Sequence, residues 1–89
     1  MPKYKINKGF IVQKLDDKTV IFDGEKSVLY TFNETASFIF RRLKLGRSIV
    51  EIVKTLMMKY KIGEIEAKKD IKELIRDLLA KKIIKQEKV

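Results

Sequence analysis

Apolar positions along the chain change their period at Asn33. Before it they alternate in short runs rich in β-branched and aromatic residues, the pattern of strands. Gly9 to Leu15 reads as a strand with Phe10, Val12 and Lys14 on one face and Ile11, Gln13 and Leu15 on the other. Asp16-Asp17-Lys18 marks a turn, and Thr19 to Phe22 reads as a second strand. Asp23-Gly24 signals a hairpin, with Glu25-Lys26 lengthening its loop, and Val28 to Phe32 reads as a third strand. Three short strands so spaced predict an antiparallel meander. Lys3 to Lys8 reads only as a loosely tied lead-in.

Asn33 ends the third strand and offers a side-chain oxygen suited to capping a helix. From Glu34 the spacing becomes helical, with Ala36, Phe38, Ile39, Phe40 and Leu43 preceding a stop at Gly46. Ser48 followed by Glu51 is a capping box for a second helix, with a buried stripe of Ile49, Ile52, Val53, Leu56 and Tyr60. Met57 and Met58 fall beside that stripe and read as core filler. A third helix spans about Glu64 to Lys82, its core stripe being Ala67, Ile71, Leu74, Ile75 and Leu78. At 100° per residue, Lys68, Lys72, Arg76 and Leu79 form one flank, and Asp70, Glu73 and Asp77 the other. Ile83 to Gln86, apolar and then polar, has room for a stub of strand. The sum is one α+β domain over residues 1–89, with a core at about 9–85. It is of winged helix-turn-helix type: a three-stranded antiparallel sheet followed by three helices.

Composition narrows the chemistry. The chain has neither Cys nor His, which removes disulfides, zinc–thiolate sites and imidazole acid–base catalysis. No residue set marks a catalytic pocket, and no cofactor is implied. No apolar run reaches the roughly 18 residues of a membrane span, and the beginning Met-Pro-Lys-Tyr-Lys lacks a secretory core, so a cytoplasmic location is expected. The net charge of +9 points to an anionic partner. Residues 34–63 hold most of the excess, with seven bases against two acids, grouped around Arg41, Arg42, Lys44 and Arg47. The flanking thirds are nearly balanced, at six against four and eight against six.

Three blocks in order carry a family resemblance. Leu29-Tyr30-Thr31-Phe32-Asn33-Glu34-Thr35-Ala36, then Ile39-Phe40 and Gly46, resembles the "LNETA…IW…G" block of the PqqD family. Ser48-Ile49-Val50-Glu51-Ile52-Val53 with Leu56 and Tyr60 resembles its second-helix block, and Ala67-Lys68-Lys69-Asp70-Ile71 with Leu74, Ile75 and Leu78 its third. Phe40 stands where the family often has Trp, and Lys81-Lys82 replaces the Gly that usually follows the third helix.

The resemblance implies a RiPP recognition element, a non-catalytic module that captures the leader of a ribosomally made precursor peptide. Such modules present the leader to a separate maturation enzyme, either a radical SAM protein or, in lasso peptide systems, a leader peptidase. The family holds its leader as an added strand on the third strand, beside the third helix. Carried onto this chain, the strand contributes Ser27, Val28, Leu29, Tyr30, Thr31 and Phe32. The helix contributes Lys68, Lys72, Ile75, Arg76 and Leu79, a flank suited to an acidic leader, with the Asp70–Asp77 flank as the competing wall. Each strand residue has an equally ordinary role in the core, and Asn33 reads as a cap. The competing function is a DNA-binding winged helix. Against it, the third helix opens Glu64-Ile65-Glu66 where a recognition helix would carry basic and amide side chains. No helix has the basic polar face a membrane surface would require. An uncapped edge strand is also compatible with a strand-swapped dimer.

Overall fold

The computed structural model describes residues 3–16 and 18–87; the turn residue Asp17, Met1-Pro2 and Lys88-Val89 lie outside them. Eight elements follow in order: β1 (Lys3–Ile6), β2 (Phe10–Leu15), β3 (Lys18–Asp23), β4 (Val28–Phe32), α1 (Glu34–Lys44), α2 (Ile49–Tyr60), α3 (Glu64–Ala80) and β5 (Ile84–Glu87). The three strands expected from alternation are β2, β3 and β4, and they form the antiparallel meander β2-β3-β4. Its register puts Val12, Ile21 and Tyr30 in one cross-strand row and Ile11, Phe22 and Leu29 in another. The first row faces the helices, and Ile21 is fully buried. The second faces outward, leaving Ile11 and Leu29 each 60% exposed.

The lead-in is a correction. Residues 3–6 form β1, paired antiparallel with β5 from Lys3 opposite Glu87 to Ile6 opposite Ile84. Tyr4 and Ile6 alternate onto the core beneath them. Asn7 secures the clasp: its N–H donates to the Ile83 carbonyl (2.9 Å) and its Nδ2 to the Lys82 carbonyl (2.7 Å). The stub of strand expected at residues 83–86 is β5, at Ile84–Glu87; its partner β1 was not legible, because pairing across nearly the whole chain leaves no local mark on residues 3–6.

The joint between sheet and helices is at residues 32–37. The Asn33 Oδ1 accepts the Ala36 N–H at 2.8 Å, the expected cap. One turn on, Ser37 is fully buried; its Oγ accepts the Thr19 N–H (2.8 Å) and donates to the Phe32 carbonyl (3.4 Å). One hydroxyl thus ties α1 to β3 and β4. Phe32 meets Phe40 edge to face at 5.5 Å between ring centroids. The core continues through Phe38, Ile39, Leu43, Ile52, Leu56, Ala67, Ile71, Leu78 and Ile83. Met57 packs against it, but Met58 is 81% exposed, contrary to its reading as filler: it has rotated past the edge of the α2 stripe.

Helix ends follow one design twice. At the end of α1 the Gly46 N–H reaches the Leu43 carbonyl and the Arg47 N–H the Arg42 carbonyl, each at 3.0 Å, with Gly46 at φ +79°. At the end of α3 the Lys82 N–H reaches Leu79 and the Ile83 N–H reaches Leu78, again at 3.0 Å, with Lys82 at φ +59°. Both are Schellman motifs, in which a left-handed residue lets two amides satisfy the last carbonyls. The third helix therefore stops at Ala80 rather than Lys82.

Candidate functional site

Strand β4 pairs with β3 along one edge, and its other edge has no strand partner among the described residues. Along that edge alternate residues of the strand turn backbone N–H and C=O groups outward, free to accept another strand. The approach is set by loop 24–27. Asp23 is buried, its Oδ1 accepting the N–H groups of Glu25 (3.0 Å) and Lys26 (3.2 Å), and Ser27 turns the chain at φ +54°. Side chains then alternate. Val28, Tyr30 and Phe32 point to the helix side, from exposed through half-buried to buried, while Leu29 and Thr31 point to solvent on the other.

Beside the C-terminal end of this strand the chain leaves a cleft of about 550 Å³. One wall is the strand–helix joint, with Asn33, Thr35, Ala36 and Ile39; the other is α3, with Asp70, Glu73, Leu74 and Asp77. The α3 wall continues to Lys81, whose Nζ lies 5.7 Å from the Tyr30 ring centroid and pairs with the Asp77 carboxylate. Asp70 and Glu73 make no ion pair among the described residues. The cleft thus has an apolar floor of Ala36, Ile39 and Leu74 under a carboxylate rim. Among the described residues no acidic cluster is arranged to hold a metal ion.

The expected helix residues divide differently. Ile75 is buried in the core. Lys68, Lys72 and Arg76, with Ile65, Lys69 and Glu73, line a separate hollow of about 440 Å³ on α3, and Leu79 is partly exposed. The structure does not bring this basic flank to the cleft. Helix α3 turns toward the joint the flank that carries Asp70 and Asp77, the competing wall. Helical periodicity separates the two flanks, but which one meets the sheet is a tertiary choice. The N-terminal end of α3 keeps Glu64 and Glu66, and Lys68 is held by Glu64 at 3.6 Å.

A short open strand above a helix-walled cleft, in a domain of this size, defines a class: small α+β domains able to accept a peptide as an extra strand. The chain belongs to the family of coenzyme PQQ synthesis protein D (PqqD), whose model matches residues 18–84. This is the family that residues 29–78 resemble. Two solved structures share the fold. One is TbiB1 in complex with the TbiA(beta) leader peptide, 20% identical, covering 96% of this chain and 99% of that one at a TM-score of 0.84. The other is lasso peptide synthetase B1 complexed with the leader peptide, 24% identical, covering 93% and 98% at a TM-score of 0.87. No curated protein matches the sequence at a significant level. Among the described residues, no helix is long and apolar enough to cross a membrane.

Proposed function

We propose that this protein is a non-catalytic recognition element that captures the leader of a ribosomally made precursor peptide. The leader adds as a strand along residues 27–32, Ser27 and the open edge of β4, and the protein hands the peptide to a separate maturation enzyme, a radical SAM protein or a leader peptidase. The observation that carries the reading is the free β4 edge beside an apolar-floored cleft, in a fold shared with two proteins solved with leader peptides. Backbone pairing supplies affinity with little sequence demand; side chains around the cleft supply the choice. An apolar leader residue fits over Ala36, Ile39 and Leu74, and a neighbouring Lys or Arg fits the rim of Asp70 and Glu73. Such capture belongs in the cytoplasm, where precursor peptides are made. The same edge supports a strand-swapped dimer, which leader addition would dissociate. The DNA-binding reading gains nothing from the family or the structural neighbours.

The test is NMR titration of the isotope-labelled protein with a panel of synthetic precursor leaders, a scrambled version of each, and a DNA duplex. Saturable shifts in residues 27–39 and 70–81, from a leader and not its scrambled form, are the expected result. Shifts confined to the duplex, centred on α3, would overturn it.

A further inference from the structure

A second recess lies between the middle and C-terminal part of α1, the turn that follows it and the last turn of α2. Phe38, Arg41, Arg42, Leu45, Arg47 and Lys59 line a hollow of about 370 Å³. No acid lines it, and among the described residues none of its four cations makes an ion pair. Its floor is the buried Phe38 ring, held edge to face against Tyr60 at 5.8 Å. The Arg42 guanidinium lies over that ring, 3.5 Å from the centroid, with Nη1 donating to the Phe38 carbonyl at 3.3 Å. The Lys59 ammonium is 5.2 Å from the same ring. Arg41 has a buried Nε with no hydrogen-bond partner. Leu45 forms an apolar lip, 71% exposed.

Helix dipoles account for part of this grouping, since cations in the last turn are favoured. They do not account for all of it. Burial, and then the charges of Arg41 and Arg47, hold the Arg42 guanidinium below its ordinary pKa, so positive potential is left over in the recess. We propose that this hollow docks an acidic segment of a partner protein, a carboxylate entering between Arg41, Arg42 and Arg47 while an adjacent apolar side chain rests on Leu45. The planar fork of arginine matches a carboxylate with two parallel hydrogen bonds. A recess with an aromatic floor and an apolar lip admits a side chain; the flat run of phosphates on a duplex or a lipid surface stays outside it. The site uses the 38–42–45 face of α1, distinct from the 35–36–39 face that borders the cleft, and so does not depend on leader capture.

The experiment titrates the full-length labelled protein with an acetylated, amidated hexapeptide alternating Leu with Asp or Glu. Parallel titrations use its Asn/Gln counterpart, a DNA duplex and phosphatidylserine vesicles. Shifts centred on residues 38–47 and Lys59, with at least about tenfold weaker binding of the amide counterpart, are the expected result. The double variant Arg47→Gln, Lys59→Gln alters exposed side chains only, so it keeps its melting temperature and binds the acidic peptide about tenfold more weakly. Equal binding of the two peptides, shifts spread over lysines elsewhere, or tighter occupation of residues 38–47 by duplex or vesicles would overturn the assignment.

Discussion

Lys82 carries a backbone conformation that an L side chain resists. At φ +59° its Cβ crowds the carbonyl, a cost of about 1–2 kcal/mol that glycine avoids. Gly46 fills the equivalent place after α1 at φ +79°. The missing family glycine is thus a change of residue at an unchanged cap. Lys82→Gly is expected to raise stability by about 1 kcal/mol, which for a domain of this size is about 4–8 °C in Tm by differential scanning calorimetry. Ser37 is the opposite case, a small polar residue that is fully buried between the sheet and α1. Nothing in its local pattern shows that its hydroxyl satisfies the buried Thr19 N–H, eighteen residues away. Ser37→Ala leaves that donor unpaired and is expected to cost about 1–3 kcal/mol, read as a lower urea midpoint at unchanged slope. Asn33, by contrast, was legible, because a cap is decided within three residues of itself.

Elements were legible wherever local pattern decides them. The β2-β3-β4 meander, the Ser48 cap of α2 and the core stripe of α3 each follow from spacing, and each is present, with the Glu51 carboxylate meeting the Ser48 hydroxyl. What spacing leaves open is how α3 is rolled about its axis. Both flanks are charged and border the same apolar stripe, and the choice is made by how Ala67, Ile71 and Leu78 seat on the rest of the core. The roll sets the charge along the cleft wall, carboxylates from Asp70, Glu73 and Asp77. Exchanging Asp70 and Glu73 for Lys is expected to reverse a preference between two leaders that differ only by Lys or Glu beside their apolar anchor. Exposed ion pairs of this kind contribute about 0.2–1 kcal/mol each, so a change of up to about tenfold in relative Kd is the scale to look for by fluorescence anisotropy. An unchanged preference would place the leader's charged residue away from this wall.

At the scale of the molecule, fold class was readable from the order of the elements, and the closure of the chain was not. Strands β1 and β5 join across nearly its full length, beside Ile83 and Ile84, both buried. Ile83 is the hinge of that closure. Its N–H completes the α3 cap, its carbonyl receives Asn7 and its side chain is wholly inside. Ile83→Ala is expected to cost about 2–5 kcal/mol in denaturation, with faster hydrogen exchange in residues 3–7 and 84–87 before the meander loosens.

Because Lys3 stands opposite Glu87, the described polypeptide sets out and returns at one place, near Lys44 to Gly46 and so at the far end of α1 from the cleft. That makes the architecture a loop with a seam. A fluorophore attached along this seam, at Lys5 or Lys85, stands away from the β4 edge. The seam can also be sewn shut with a short linker and the loop cut at 45–48 instead, giving a permuted chain with its groove intact.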